Sequence, residues 1–371
     1  MRRLDGRDGG GQPLRTALAL SVVTGEPFEM ANVRGNRSTP GLKAQHVACV
    51  SVAAAVSNAD VAGDEVGSST LRFSPREVRA DPVEAAVGTA GSATLVCETL
   101  LPAAVALDDP LSLTVTGGTD VRWSPPTDYL RYAKRPLCSA FGVEFGVSVP
   151  RRGFYPAGGG TLSLRIAPAE PTPVELTRRA EPDELRVYSV ASESLADAAV
   201  AERQVEGVRD ALAEAGVDLP IRSSVSSAES DSPGSAVVVV ARGGEDERAG
   251  DGSASLVAGF DAYGERGTPA ETVGSRAADS LLDWLGGDAP VDRHMADQLL
   301  VWVALAGGRV RIPAVTDHVR TNLDVIRAFG YDVTLRAGED GDRGAGAGAG
   351  AGPGAETEAR TGAVVESDGG R

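Results

Sequence analysis

TLRFSP (residues 70–75) and TLSLRIAP (residues 161–168) are two similar segments that begin 91 residues apart. Each one closes a block that contains two helix-like stretches, and the alternation of apolar and polar residues in TLRFSP is typical of a β-strand. A pattern that recurs along a chain indicates a duplicated structural unit. The sequence therefore predicts two copies of an α/β unit, each with two helices packed on one face of a sheet.

The helix-like stretches of these blocks have apolar residues at helical spacing. They cover residues 12–24 and 42–58 in the first block, and residues 91–107 and 125–142 in the second. Later in the chain, a helix at 296–308, a strand at 309–315, a helix at 318–330 and a strand at 331–337 are expected. The sequence thus predicts a third α/β unit of the same kind.

Residues 179–287 differ in character from the blocks on either side. Strand-like segments at 186–190 and 235–242 alternate there with helix-like segments at 202–216 and 270–286. We therefore expect a large domain built from residues 1–178 and 288–337, with residues 179–287 inserted as a smaller α/β domain. Residues 338–371 are rich in Gly, Ala and acidic residues and lack core-forming side chains, so we expect a disordered tail.

The chain is strongly acidic, with 52 Asp and Glu against 36 Lys and Arg and a net charge of −16. Only Lys43 and Lys134 are lysines. An acidic, lysine-poor composition indicates adaptation to a salt-rich cytoplasm, since the Debye length falls to roughly 3 Å at 1 M salt and acidic self-repulsion is screened. An ordinary acidic protein is the alternative. Local arginine clusters are therefore a better guide to the partner than the net charge.

The cysteines give no sign of a metal or disulfide framework. Cys49, Cys97 and Cys138 are far apart, odd in number and without a CxxC motif. The sequence also shows neither a signal peptide nor a long uninterrupted apolar span. We expect a soluble, cytoplasmic protein with no membrane partner.

Two loops carry groups suited to an anion. DGRDGGGQPLR (5–15) places three glycines before a helix, where successive backbone N–H groups can hold a phosphate. It matches neither the P-loop nor the dinucleotide fingerprint, and a flexible turn is the alternative. VRGNRSTPGLKAQH (33–46) contributes Arg34, Arg37 and Lys43, and the arginine fork suits phosphate oxygens. A solvated basic loop is the alternative for that cluster.

TDHVRTN (316–322) lies where a strand is expected to end and a helix to begin. Thr316 or Asp317 can cap this helix, which leaves His318 in its first turn. A neutral imidazole there can attack a nucleotide phosphorus, and the same helix end attracts phosphate. A structural histidine packed on the capped turn explains this stretch equally well.

Taken together and in order, these motifs resemble the RNA 3′-terminal phosphate cyclases. The resemblance runs to about residue 337 and also includes GTAGSATLVCETLLPA, GGTDVRWSPP, RRGFYPAGGG and MADQLLVWVALAG. It implies an α/β (α+β) fold of three repeated βαβαββ-like units with an inserted smaller α/β domain. It also implies that ATP and an RNA with a 3′-phosphate end are converted to a 2′,3′-cyclic phosphate, through a covalent histidine–AMP and an RNA-adenylate. Mg or Mn assists with the phosphates.

The resemblance also assigns residues. The nucleophile falls on His318, the metal-binding carboxylate on Asp8, and the ATP and phosphate contacts on Gln12, Arg15, Arg34, Arg37, Gln45, His46, Glu98, Pro125, His294 and Asp297. Asp8, Glu98 and His294 stand where Glu, Gln and Tyr are commoner in the family.

Two other functions are compatible with parts of this sequence. A non-catalytic cyclase-like RNA-binding protein in ribosome biogenesis is the main alternative, and the presence of His318 favours the enzyme. An enolpyruvyl transferase would share the fold but has no need of the RRGFYPAGGG and TDHVRTN pair.

Overall fold

Three of the four sheets in the computed structural model, which describes residues 1–243, 256–337 and 362–370, share one strand order. The first unit contains β1 (Arg2–Asp5), α1 (Gln12–Thr24), β2 (Phe28–Ala31), α2 (Ala44–Ser57), β3 (Asp60–Ala62) and β4 (Leu71–Ser74). The order across its sheet is β1-β2-β4-β3. Strands β1 and β2 are parallel, and β4 is antiparallel to both of its neighbours. The predicted strand TLRFSP is confirmed as β4.

The second unit repeats this arrangement strand for strand. It contains β5 (Val83–Ala86), α3 (Ala93–Leu100), β6 (Leu111–Gly117), α4 (Thr127–Tyr129), α5 (Arg135–Ala140), β7 (Phe145–Arg151) and β8 (Gly160–Ile166). A π-helical turn at Leu130–Lys134 joins α4 to α5. The order β5-β6-β8-β7 has one parallel pair followed by two antiparallel pairs, as in the first unit. The repeat predicted from TLRFSP and TLSLRIAP is therefore confirmed.

A separate sheet follows the second unit. After β9 (Val174–Leu176), the chain forms β10 (Glu184–Ser192), α6 (Val200–Glu214), β11 (Ile221–Ala228), β12 (Ser235–Gly243), β13 (Leu256–Tyr263) and α7 (Ala270–Leu285). The sheet has the order β11-β10-β12-β13 and buries its own apolar cluster against α6 and α7. The exact domain boundaries stay a prediction.

Two glycines let α6 and α7 approach each other closely. A Cβ on Gly207 would lie 2.1 Å from the carbonyl oxygen of Glu271, and a Cβ on Gly274 would lie 2.0 Å from that of Gln204. Neither distance is compatible with a side chain. The backbones therefore touch at this crossing, where each glycine faces the opposite helix.

The third unit combines β9 with elements on the far side of the insert. These are α8 (Arg293–Gln298), α9 (Leu300–Ala306), β14 (Gly308–Ile312), α10 (Asp317–Ala328), β15 (Thr334–Ala337) and β16 (Ala363–Ser367). The strand order is β9-β14-β16-β15, with β9 parallel to β14 and β16 antiparallel to both neighbours. All three units therefore place their fourth strand between their second and third.

The prediction of a disordered tail over residues 338–371 is wrong for β16. Val365 pairs with Val310 on one side and with Leu335 on the other, and its side chain is 0% exposed. A strand in this position has its backbone groups bonded on both edges, so tertiary pairing stabilises a segment whose surrounding composition lacks a strand pattern. Residues 338–361 lie outside the described residues.

One apolar core connects the three repeated units. It includes Leu18 and Phe73 of the first unit, Leu164 of the second, and Val310 and Val365 of the third. In the part of the chain that the structure describes, no helix is long and apolar enough to cross a membrane.

We predict that Val365→Ala lowers the free energy of unfolding by about 1.5–3 kcal/mol, because it removes a fully buried side chain from β16. Val66→Ala is the matched control, since Val66 is 68% exposed and its loss should change stability by less than about 0.5 kcal/mol. Denaturant unfolding at constant KCl measures both. A chain ended at residue 361 should lose more than Val365→Ala, and unchanged stability of that chain would contradict the role of β16.

Candidate functional site

The glycine-rich loop before α1 is pressed against the first turn of α10. Gly9 has φ +75°, and a Cβ on it would lie 2.4 Å from the Thr321 hydroxyl oxygen. Only glycine accommodates both that backbone conformation and that contact. Thr321 is one helical turn beyond His318, so the loop and the histidine belong to one surface.

His318 stands at the capped start of α10. The Thr316 side-chain oxygen accepts a hydrogen bond from the backbone N–H of Val319 at 3.2 Å, so Thr316 is the cap. The His318 side chain is exposed, whereas Val319 beside it is buried. The helix is held in place by Asn322, which accepts from the Thr16 hydroxyl at 2.6 Å and donates to the Asp297 carbonyl at 2.8 Å. The histidine is therefore presented to solvent on a fixed support.

Arg37 and His46 bring the second predicted loop to the same glycines. A Cβ on Gly10 would lie 2.9 Å from Arg37 Nη2, and a Cβ on Gly11 would lie 2.4 Å from His46 Nε2. The loop at 33–46 and the glycine loop therefore form one wall, although they are separated in sequence.

His46 is a buried, neutral donor within this wall. Its Nδ1 accepts a hydrogen bond from the Lys43 backbone N–H at 3.0 Å, which leaves the proton on Nε2 beside Gly11. Burial, together with the charges of Arg15, Arg34 and Lys43, lowers the pKa of His46 to about 3. The imidazole thus offers an N–H to the loop without adding charge.

Arg34 differs from the other cations because its guanidinium is used inside the loop. Its Nη1 donates to the carbonyl oxygens of Thr39 at 2.9 Å and Gly41 at 2.7 Å, and the side chain is buried. Burial, with the nearby charge of Arg37, lowers the Arg34 pKa from its usual value. Its contact with a phosphate stays a prediction, whereas its role in shaping the loop is visible.

Three other cations of the site lack a carboxylate partner. Within the described ranges, Arg15, Arg37 and Lys43 form no ion pair, whereas exposed arginines such as Arg72 and Arg76 are paired. The Arg15 guanidinium instead donates to the Gln12 side-chain oxygen. Uncompensated cations beside backbone N–H groups and glycines form a surface suited to a polyphosphate.

Asp297 lies where several of the predicted residues converge. Burial raises the pKa of its carboxyl, and the nearby side chains of His318, His294, Arg15 and Lys134 act in the opposite direction. These four side chains are therefore close enough to interact electrostatically with the Asp297 carboxylate. His294 is itself exposed, with its Nε2 at 3.8 Å from an Asp261 carboxylate oxygen.

Gln45 and Pro125 lie on the side of the site formed by α3. The Gln45 side-chain oxygen accepts from the Ser92 backbone N–H at 3.2 Å. Ser92 caps α3, and the Thr94 hydroxyl donates to the Pro125 carbonyl at 2.9 Å. These bonds attach the GGTDVRWSPP loop to the helix that faces α2.

Glu98 belongs to a buried polar group behind the glycine loop. Lys134 Nζ lies 3.1 Å from Glu98 Oε1 and donates to the Gln298 side-chain oxygen at 2.7 Å. A cavity of about 40 Å³ adjoins all three residues, and Gln12 and Arg15 also line it. Lys134 and Gln298 were not predicted as site residues from the sequence. The signal that was available is that Lys134 is one of only two lysines in the sequence.

Asp8 lies at the exposed edge of the glycine loop. Its Oδ1 accepts from the Asn36 side-chain amide at 2.5 Å. No cluster of three or more His, Cys, Asp or Glu side chains in the described part of the chain is arranged to hold a metal ion. A single carboxylate fits a magnesium ion that is shared with substrate phosphates, which is the way Mg²⁺ is usually bound. It does not fit a metal held by protein alone.

Comparison with known proteins gives matches along nearly the whole chain. A family model described as RNA 3′-terminal phosphate cyclase matches residues 7–334. A relative of the same description from the halophile Halobacterium salinarum is 45% identical over 354 residues, covering 92% of this chain and 98% of the relative. Relatives from Pyrobaculum aerophilum and Pyrococcus abyssi are 40% identical over 335 residues and 39% over 337 residues. They cover 88% and 91% of this chain, and 92% and 95% of their own lengths.

We predict that replacing Arg34 affects stability, whereas replacing Arg37 affects phosphate binding. Arg34→Ala should lower the free energy of unfolding by about 1.5–3 kcal/mol, because two loop carbonyls lose a charged donor. Arg37→Ala should leave stability within about 0.5 kcal/mol and weaken binding of inorganic triphosphate about tenfold. Denaturant unfolding and calorimetric titration measure these, with exposed Arg79→Ala as the control. Equal stability losses in the Arg34 and Arg37 variants would contradict this division of roles.

Proposed function

Because the chain belongs to the RNA 3′-terminal phosphate cyclase family, we propose that it uses ATP to convert an RNA 3′-phosphate to a 2′,3′-cyclic phosphate through a covalent His318–AMP intermediate. The observation that supports the intermediate is the position of His318. The side chain is exposed at the capped start of α10, and one turn later Thr321 contacts the glycine loop. A nucleophile is therefore held beside a surface suited to a polyphosphate.

The first step is transfer of AMP to the protein. A ring nitrogen of His318 forms a bond to the α-phosphorus of ATP, and the bond from that phosphorus to the bridging oxygen breaks, releasing pyrophosphate. Arg15, Arg37 and Lys43, which lack carboxylate partners in the described ranges, bind the phosphates. His46 contributes an N–H beside Gly11, and its lowered pKa keeps it neutral. The site thus holds the triphosphate while only His318 forms a covalent bond.

The second and third steps return the protein to its starting state. An oxygen of the RNA 3′-phosphate attacks the phosphorus of His318–AMP, and the phosphorus–nitrogen bond breaks. The neighbouring 2′-hydroxyl then attacks the RNA phosphorus, loses its proton and expels AMP. Both steps use the energy stored in the phosphoanhydride of ATP, so the protein needs to position the groups and exclude competing attack by water.

Residues on the α3 and α8 sides of the site are proposed to bind the nucleoside. Pro125 and the exposed His294 ring offer surfaces for a base, and the Asp297 carboxylate offers acceptors. Gln45 and Glu98 lie further back, where they are bonded to Ser92 and paired with Lys134. Gln12 orients Arg15 through its side-chain oxygen. Glu98 carries a negative charge that the Gln commoner at this position in the family lacks. Its pairing with Lys134 neutralises that charge.

A divalent cation is proposed to bind with the phosphates at Asp8. Asp8 is exposed at the glycine loop, and its carboxylate would otherwise repel the triphosphate. Mg²⁺ or Mn²⁺ would supply charge neutralisation of phosphate oxygens. Asn36, which donates to Asp8 Oδ1, orients the carboxylate.

We predict that His318→Ala folds, because the side chain is exposed, and that it forms no protein-bound AMP. In the proposed pathway AMP is bound to the protein only through a nitrogen of His318. Incubation with ATP labelled at the α-phosphorus, followed by denaturing electrophoresis, measures the adduct. In the wild type its label should be acid-labile and alkali-stable. Arg320→Ala is the control on the same helix turn, where Arg320 is exposed and paired with Asp317. Label on His318→Ala at the wild-type rate would exclude the proposed intermediate.

We also predict that Asp8→Ala raises the metal concentration needed for half-maximal adduct formation by about tenfold, whereas Asp8→Glu shifts it much less. One charged ligand is lost in the first variant and kept in the second. Titrations with MgCl₂ and MnCl₂ at constant KCl measure the shift, and exposed Asp64→Ala is the control. An Asp8→Ala titration that overlays the wild type would show that Asp8 only shapes the turn.

A further inference from the structure

Trp123 is the most exposed large apolar side chain of the described structure. Its exposed fraction is 92%, whereas Trp284 and Trp302 are 7% and 1% exposed. The sequence contains only these three tryptophans. Trp123 therefore presents almost its entire ring to solvent in a chain that buries its other two.

The backbone at Trp123 is also unusual. Its φ is +63°, in the left-handed region that bulky side chains rarely adopt. The turn thus combines two unfavourable features, a strained backbone and an apolar ring in water. Such combinations occur where a residue serves binding rather than folding.

The Trp123 turn is fastened to the rim of the candidate site. The next residue, Ser124, accepts a hydrogen bond at its carbonyl from the Tyr263 hydroxyl at 2.6 Å. The carbonyl of Pro125 accepts from Thr94 at 2.9 Å. Tyr263 ends β13, and the same strand carries Asp261, whose carboxylate is 3.8 Å from His294 Nε2. The backbone that follows Trp123 is therefore held next to Pro125, on the proposed nucleoside side of the site.

The surroundings of the ring suit a nucleic acid base. The Arg122 guanidinium carbon lies 5.4 Å from the ring centroid, so one face carries a cation while the other is open. Aromatic side chains with an adjacent arginine are used to stack the bases of single strands, and stacking tolerates any base. An RNA reaches the site from solvent, where the Trp123 ring lies, whereas the proposed ATP contacts Gln12, Arg15 and Asp297 are only partly exposed.

We propose that Trp123 stacks on a base near the 3′ end of the RNA substrate and thereby holds the terminal phosphate at the site. The proposal rests on the proposed function for the identity of its ligand. Base stacking explains both the exposed ring and the strained turn, because the turn directs the ring into solvent close to Pro125.

Tryptophan fluorescence tests the contact directly. With the other two tryptophans buried, acrylamide quenching reports mainly on Trp123. Adding a short RNA with a 3′-phosphate to the full chain in KCl should reduce quenching, and Trp123→Phe should lack the change. Equal protection by a non-hydrolysable ATP analogue alone would assign the ring to the adenine of ATP and overturn the proposal. Protection that grows with protein concentration alone would assign it to a second copy of the chain and overturn it as well.

Steady-state cyclisation tests the consequence. Trp123→Ala should raise KM for RNA about 5- to 100-fold, the range expected for loss of one stacked base, whereas Trp123→Phe should stay close to the wild type. Trp123→Gly relieves the positive φ and should show the same rise, which separates the ring from the backbone. Exposed Val66→Ala is the control for loss of an apolar surface residue.

A cycle with modified RNA identifies the base. RNAs that lack the base at each of the last three nucleotides are compared with wild type and Trp123→Ala. At the nucleotide whose base stacks on Trp123, removing both the base and the ring should raise KM by less than the product of the two separate effects. Additive effects at all three positions would overturn the proposal. Formation of protein-bound AMP by the wild type without RNA tests the proposed function separately, and the fluorescence experiment stays informative if that reaction fails.

Discussion

The contact between the glycine loop and two distant segments, residues 33–46 and the start of α10, is the constraint on which the site depends. Thr321, Arg37 and His46 approach Gly9–Gly11 so closely that a Cβ at any of the three glycines would collide with them. The loop is fixed by this packing before any ligand arrives. A phosphate-binding surface that is already ordered loses little conformational entropy on binding, which favours both affinity and correct placement of the reacting atoms.

Charge is distributed unevenly between the site and the rest of the chain. The protein carries a net charge of −16, and most exposed arginines in the described part of the chain form ion pairs, such as Arg72 with Glu29. Two buried cations are paired as well: Arg152 bonds to both Asp120 and Asp128, and Lys134 lies beside Glu98. The cations at the glycine loop differ from these paired side chains because the described carboxylates do not compensate them. Their attraction for an anion is therefore available to a ligand, and at high salt it acts only over the short distances of direct contact.

The repeated unit was the feature of the fold most accessible from sequence. TLRFSP and TLSLRIAP are alternating or apolar strands with the same neighbours, and both are fourth strands of their units. The equivalent strand of the third unit, β16, was not predicted because it follows a Gly/Ala run that carries no pattern. It is a strand because β14 and β15 offer unpaired edges on either side of it. Pairing with strands distant in sequence is a tertiary effect that no local window contains.

The sequence by itself determined the repeat, the start of α10 and the chemical types gathered in the loops, since each depends on short-range spacing. It also carried the resemblance that assigned His318. Only the tertiary structure decided which of those residues stabilise the loops and which are available to a ligand. Arg34 and Arg37 look alike in sequence. Arg34 is nevertheless buried and donates to two loop carbonyls, whereas Arg37 is exposed beside Gly10. His46 is neutral because of its burial, and Trp123 is notable because of its exposure. Burial and contact depend on which distant segments pack against a residue, and that information is absent from its immediate neighbours in the chain.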